Sequence, residues 1–113
     1  MKRRAEIIVA LDTASGGRAL DLVRSLRGQI SVFKVGLELY TATGPSIVRE
    51  IKGLGGEVFL DLKFHDIPNT VARAPAEGAR MGVAMLDVHL SGGAAMIRRA
   101  VDEVEATCTL NQI

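Results

Sequence analysis

Asp61, Lys63 and Asp66 place two carboxylates and an ammonium within six residues, directly after the strand-like run Glu57-Val58-Phe59-Leu60. Alternation along a strand puts Phe59, Asp61 and Lys63 on one face and Leu60 and Leu62 on the other. Charges emerging from an apolar strand are costly unless they pair or do chemistry. Asp66 follows in the turn, and Pro68 with Asn69 marks the entry to a helix. Taken singly, these residues also suit plainer roles, Asp66 or Asn69 as a helix cap and Asp61 with Lys63 as a solvated strand end.

The elements that must position these groups are legible in the apolar pattern. Ile7 to Leu11 is a continuous apolar, β-branched run, expected as a strand buried on both faces. Beyond a loop at residues 13–17, Ala19, Leu22, Val23 and Leu26 recur at helical spacing, with Gly28 as a stop. Ile30 to Val35 is a second strand ending in Lys34-Val35-Gly36. A connection through Tyr40 and Gly44 leads to a helix opened by Pro45, with Ile47, Val48, Ile51 and Leu54 on one face and Gly55-Gly56 at its end. The third strand enters the charged stretch. A third helix is expected from about Thr70 to Arg80, with a kink or break near Arg73-Ala74. Pro75, costing roughly 3 kcal/mol in a helix interior, and Gly78 are its weak points. Val83 to Leu90 is a fourth strand, Ser91-Gly92-Gly93 a turn, and a fourth helix carries Ile97, Ala100, Val101 and Val104 inward.

The order βαβαβαβα with short connections calls for parallel strands and right-handed crossovers. Either a small doubly wound sheet or half of a (β/α)8 barrel satisfies it. The polar residues favour the barrel: Asp12, Lys34, Asp61 with Lys63, and Asp87 with His89 fall at or near the C-terminal ends of four strands, where barrel sites are assembled. A doubly wound sheet concentrates its site at one switch point. The fold class expected is α/β, a parallel (β/α)4 half of a TIM barrel, with the half-barrel over residues 1–106 and an atypical tail over 107–113.

With 113 residues, the chain accommodates one domain. A net charge of +1 gives no electrostatic reason for a nucleic-acid or membrane partner. With no Trp and one Tyr, a base-stacking surface is not expected. The lone Cys108 excludes an internal disulfide and fits a reducing cytosol. Met1-Lys2-Arg3-Arg4 before an apolar run has the outline of a signal peptide, but the run meets Asp12 at once without a small-residue cleavage pattern, and it reads as a basic lead-in to the first strand. No segment approaches the roughly 20 apolar residues of a membrane span. A soluble, cytoplasmic protein is expected. His89 reads as a hydrogen-bonded structural residue, Lys52, Arg98 and Arg99 as solvated helix faces, and Met81, Met85 and Met96 as core.

Asp61-Leu62-Lys63-Phe64-His65-Asp66-Ile67-Pro68-Asn69-Thr70 resembles the Asp-x-Lys-x-x-Asp-Ile-Pro-Asn-Thr signature of orotidine 5′-phosphate decarboxylases, which convert OMP to UMP and CO2 in pyrimidine synthesis. Ala10-Leu11-Asp12 is similar to that family's first-strand motif and Phe33-Lys34-Val35-Gly36 to its second. Val88-His89-Leu90-Ser91-Gly92-Gly93 is similar to the segment after its fourth strand. The resemblance implies that Lys34, Asp61, Lys63 and Asp66 form an alternating charge network, with Lys63 as proton donor to C6 and no cofactor or metal. It implies that Asp12 contacts the ribose and that Lys34 also binds substrate. It further implies a homodimer or higher oligomer in which Asp66, Ile67 and Thr70 reach the partner's site.

The full barrel has roughly 250 residues, and its phosphate grip lies in loops after the seventh and eighth strands. The family's pyrimidine-recognising residues lie there too. A second reading is therefore a catalytically silent half barrel that self-associates through its exposed edges. A third keeps an enzyme but changes the reaction. Sugar-phosphate decarboxylases and hexulose-phosphate synthases share Asp-x-Lys-x-x-Asp and use Mg²⁺, whereas Ile67-Pro68-Asn69-Thr70 resembles the orotidine enzymes.

Overall fold

The computed structural model describes residues 4–113, so the expected lead-in at Met1-Lys2-Arg3 lies outside the described residues. The elements are β1 (Ile8–Ala10), α1 (Gly16–Leu26), β2 (Val32–Gly36), α2 (Leu37–Thr43), α3 (Ser46–Gly53), β3 (Glu57–Phe64), α4 (Pro68–Arg80), β4 (Met85–Val88), a 3-10 turn (Leu90–Gly92) and α5 (Ala94–Asn111). They form two compact units divided within β3, the first ending at Phe59 and the second being Leu60–Ile113.

In the first unit, α1 starts where Ser15 Oγ accepts the Arg18 amide at 3.2 Å, satisfying a donor the first turn leaves open. Its buried residues are Ala19 and Val23, while Leu22 is left exposed. β1 pairs in parallel with β2, Ile8 opposite Val32 and Ala10 opposite Lys34. The expectation of a first strand buried on both faces is corrected: Leu11 is buried, but Ile7 is 69% exposed and Ile8 40%. β1 has a neighbouring strand on one side only, so half of its flank is uncovered.

The connection expected through Tyr40 is itself helical, α2, closed by Gly44 at φ +74°. Seven residues with Leu39 as the one fully buried side chain are too few for a 3.6-residue period to register. α3 follows the expected pattern, with Ile47, Val48 and Ile51 buried. Gly56 then lies flat against this core, since a Cβ there would meet Ile51 Cγ2 at 3.0 Å and the Phe33 ring at 3.2 Å.

In the second unit, α4 begins at Pro68, which suits a first helical position because its missing N–H would have no partner there. The expected break near Arg73-Ala74 is absent, and the helix runs through Pro75 to Arg80. Pro75 is buried together with Val71, Ala72, Ala76 and Ala79, so packing offsets the backbone hydrogen bond that proline cannot make. Gly78 has a packing cause: its Cβ would stand 2.9 Å from Leu86 Cδ2. Val71, Met96 and Ala100 form the core here, with Phe64, Val88 and Ile97 against it.

α5 continues through Asn111, so residues 107–111, set apart by sequence as part of a tail, are helical. Its buried stripe is Met96, Ala100 and Thr107, at helical spacing. Val101 falls off that stripe and is 49% exposed, which corrects its inward placement. Of the methionines assigned to the core, Met96 is fully buried, whereas Met85 is 40% exposed on the short β4.

Candidate active site

The end of β3 carries the charged side chains expected to form a site. Val58 and Leu60 are buried, which fixes the register and sends Asp61 to the opposite face. Lys63 Nζ donates to Asp61 Oδ1 at 2.7 Å. The partners differ in exposure, the Asp61 side chain at 8% and that of Lys63 at 55%, so a sheltered carboxylate anchors the ammonium of a half-exposed lysine. The hydrogen bond from Asp61 raises the Lys63 pKa above the usual lysine value, partial desolvation opposes it, and the charges of Asp61 and Asp87 add to the rise. Lys63 is thus held as an ammonium.

Its backbone is unusual. Lys63 has φ +50°, in the left-handed region that costs a non-glycine residue about 1–2 kcal/mol. Its amide donates to Asp87 Oδ1, on the neighbouring β4, at 3.0 Å. Burial is the main cause that raises the Asp87 pKa, with a hydrogen bond and charge repulsion from Asp61 adding to it. The Lys63 N–H and ammonium pull the other way. Asp87 therefore takes a proton more readily folded than unfolded. Its contribution to stability is full below the ordinary carboxylate range and is lost as pH rises through the raised folded value. Asp87→Asn should abolish this decline and raise stability at neutral pH. Urea unfolding over a pH series checks it, a parallel decline in both proteins being the contrary result.

Asp66, Ile67 and Thr70 lie on the surface at the mouth of α4, Ile67 being 65% exposed. Asp66 Oδ1 accepts the Ile67 amide at 2.7 Å, which shapes the turn into the helix. An open hollow of about 510 Å³ is lined by His65, Asp66, Ile67, Pro68, Ser91 and Gly92. His65 and His89 stack, centroids 4.9 Å apart and planes 13° apart. His89 is engaged structurally: its N–H donates to Phe64 O at 2.9 Å, and its Nδ1 accepts the Ser91 amide at 3.3 Å, closing the 3-10 turn.

The second unit thus brings together Asp61 and Lys63 and leads on to Asp66. The other two site residues expected from sequence belong to the first unit. Lys34 is half-buried in β2 and its carbonyl accepts the Leu11 amide at 3.0 Å. Asp12 is exposed just beyond β1, lining a hollow with Ala10, Leu11, Thr13, Arg18 and Leu22. Sequence reasoning counted Asp87 among the strand-end polar residues but gave it no role in the site; its contact is with a backbone amide 24 positions away.

Residues 5–111 match the model of the family described as Orotidine 5′-phosphate decarboxylase / HUMPS. An orotidine 5′-phosphate decarboxylase of Syntrophotalea carbinolica is 55% identical over 104 residues, covering 92% of this chain and 43% of that protein. One from Paramagnetospirillum magneticum is 52% identical over 96 residues, covering 85% and 41%. Among solved structures, an uncharacterized conserved protein from Geobacillus kaustophilus superposes with a TM-score of 0.83 at 44% identity, covering 88% of this chain and 46% of that one. The orotidine 5′-phosphate decarboxylase from Pyrococcus horikoshii OT3 superposes with a TM-score of 0.78 at 31% identity, covering 85% and 47%. The chain thus spans less than half the length of these relatives. Its fold is the parallel (β/α)4 half of a (β/α)8 barrel.

Proposed function

Since the chain belongs to the Orotidine 5′-phosphate decarboxylase / HUMPS family, we propose that it carries the acid–base half of an OMP decarboxylase site and converts OMP to UMP and CO2. The observation that carries the reading is the Lys63 ammonium held 2.7 Å from the sheltered Asp61 carboxylate. Breaking the bond from C6 to the carboxylate leaves the electron pair on C6 and releases CO2. No carbonyl or ring position delocalises that pair, so a nearby cation must stabilise it. Lys63 supplies the charge and then transfers a proton to C6, becoming an amine that water reprotonates. Asp61, against the departing carboxylate, disfavours the bound substrate relative to the transition state. The reaction so drawn calls on no cofactor.

Lys34 and Asp66 complete the proposed network, and Asp12, Lys34, Ile67 and Thr70 contact the nucleotide. We place Asp66, Ile67 and Thr70 in a second copy's site, because all three are exposed at the start of α4. Residues 67–70 favour the orotidine branch over the Mg²⁺-dependent sugar-phosphate branch. Among the described residues no helix is long and apolar enough to cross a membrane, in keeping with a cytoplasmic setting for this reaction.

Calorimetric titration with UMP or 6-hydroxy-UMP tests the site. Stoichiometric binding weakened by Asp66→Asn supports a site shared between copies. Absence of binding at millimolar ligand by a folded sample defeats the proposal and leaves a silent half barrel. That second reading draws on Met85 and Val101, exposed beside an apolar groove of about 360 Å³ along β4 and α5. Either way the chain should self-associate at tens of micromolar in light scattering, and a dispersed monomer would contradict this.

A further inference from the structure

We propose that Asp87 is a positioning residue for Lys63: by accepting the Lys63 amide it holds that residue in its left-handed conformation and so presents the ammonium to Asp61. The catalytic part of this inference rests on the function proposed above; the positioning part does not.

Three observations converge. A lysine at φ +50° is strained and persists only where its surroundings over-determine it. The amide of that same residue donates to Asp87 Oδ1 at 3.0 Å, so β4 grips the backbone at the strained point itself. The side chain leaving that point has its Nζ 2.7 Å from Asp61 Oδ1. Releasing the amide would let Lys63 return to extended backbone, and with it the direction in which the side chain departs would change.

A carboxylate is a strong acceptor for this task, but the geometry requires only an oxygen at the Oδ1 position. Asn supplies one and Ala does not. A merely stabilising role predicts that Asn and Ala differ in melting temperature alone. Positioning predicts that they differ at Lys63.

The experiment compares the whole chain with its Asp87→Asn and Asp87→Ala variants by amide exchange at Lys63, by the Lys63 Nζ resonance and by OMP turnover. A protected Lys63 amide is expected in the original chain and in Asp87→Asn, with exchange at least about tenfold faster in Asp87→Ala. The Nζ resonance, visible while hydrogen bonding slows ammonium exchange, should survive in Asn and vanish in Ala. Turnover should fall in Asp87→Ala by about 10²-fold in kcat with KM little changed, and Asn should restore most of it.

A Lys63 amide exchanging at the solvent rate in the original chain overturns the proposal, and that measurement stands even where Asp87→Ala fails to fold. Asn behaving like a folded Ala variant at Lys63 also overturns it, as does a folded Ala variant with unchanged Nζ signal. Should none of the three proteins turn over OMP while the Lys63 amide and Nζ respond as described, positioning is supported and the proposed activity is what fails.

Discussion

On the function proposed above, Lys63→Ala should lower kcat/KM for OMP by about 10³-fold or more, because it removes both the charge proposed to stabilise the carbanion and the proton proposed to quench it. The two contributions separate in Lys63→Arg. A guanidinium keeps a positive charge near Asp61 but does not give up a proton at neutral pH. Arginine should therefore recover the part of the loss that is due to charge, with water in place of lysine protonating C6, so that CO2 and UMP rise together and remain below the original rate. The Lys63 side chain is 55% exposed and packs into no core, so neither change should disturb folding. Steady-state decarboxylation followed by CO2 release and nucleotide analysis, with circular dichroism melts as control, measures this. Undiminished turnover in Lys63→Ala would remove Lys63 from the chemistry.

Gly92→Ala is the largest stability effect expected from a single methyl group. An alanine Cβ would lie 2.1 Å from Met96 Sδ and 2.3 Å from Met96 Cε. Methionine is flexible, but Met96 is fully buried against Val71 and Ala100, so its end can move only by displacing core neighbours. Overpacking of this kind costs about 1–3 kcal/mol. In a domain of this size that is a Tm fall of roughly 10 °C. The cause can be isolated with Met96→Ala, which leaves room for the added methyl. The double variant should be less destabilised than the sum of the two singles. Strict additivity in a thermal-denaturation cycle would show that the methyl does not collide with Met96.

Where side chains act alone or with near neighbours, the sequence was a sufficient guide. The strand over Glu57–Phe64 is local in origin, and the structure keeps it with Val58 and Leu60 buried, whereas Lys63 leaves the extended alternation at φ +50°. Ile47, Val48 and Ile51 declare the face of α3 by spacing alone. What escaped depends on partners distant along the chain. Pro75 breaks a helix by local rules, and only its burial beside Val71 and Ala79 explains why α4 continues. The exposure of Ile8 depends on which strands flank β1, not on its apolar character. Asp87 is separated from Lys63 by 24 positions, and the bond it accepts comes from a backbone amide, which no residue pattern encodes. Asp12 and Lys34 were legible as strand-end polar residues, and their roles remain part of the proposed function.

The two-residue alternation of β3 also decides which kinds of genetic change this stretch can absorb. Val58 and Leu60 lie on one face and Phe59 and Asp61 on the other, so odd and even positions carry different meanings. A substitution alters one residue and leaves that parity intact. Insertion or deletion of one codon within β3 reverses it downstream, turning the Asp61 carboxylate toward the side now held by leucine and a leucine into its sheltered place. Variation in a lineage carrying this chain should therefore accumulate in β3 as replacements, with length changes confined to the loops on either side.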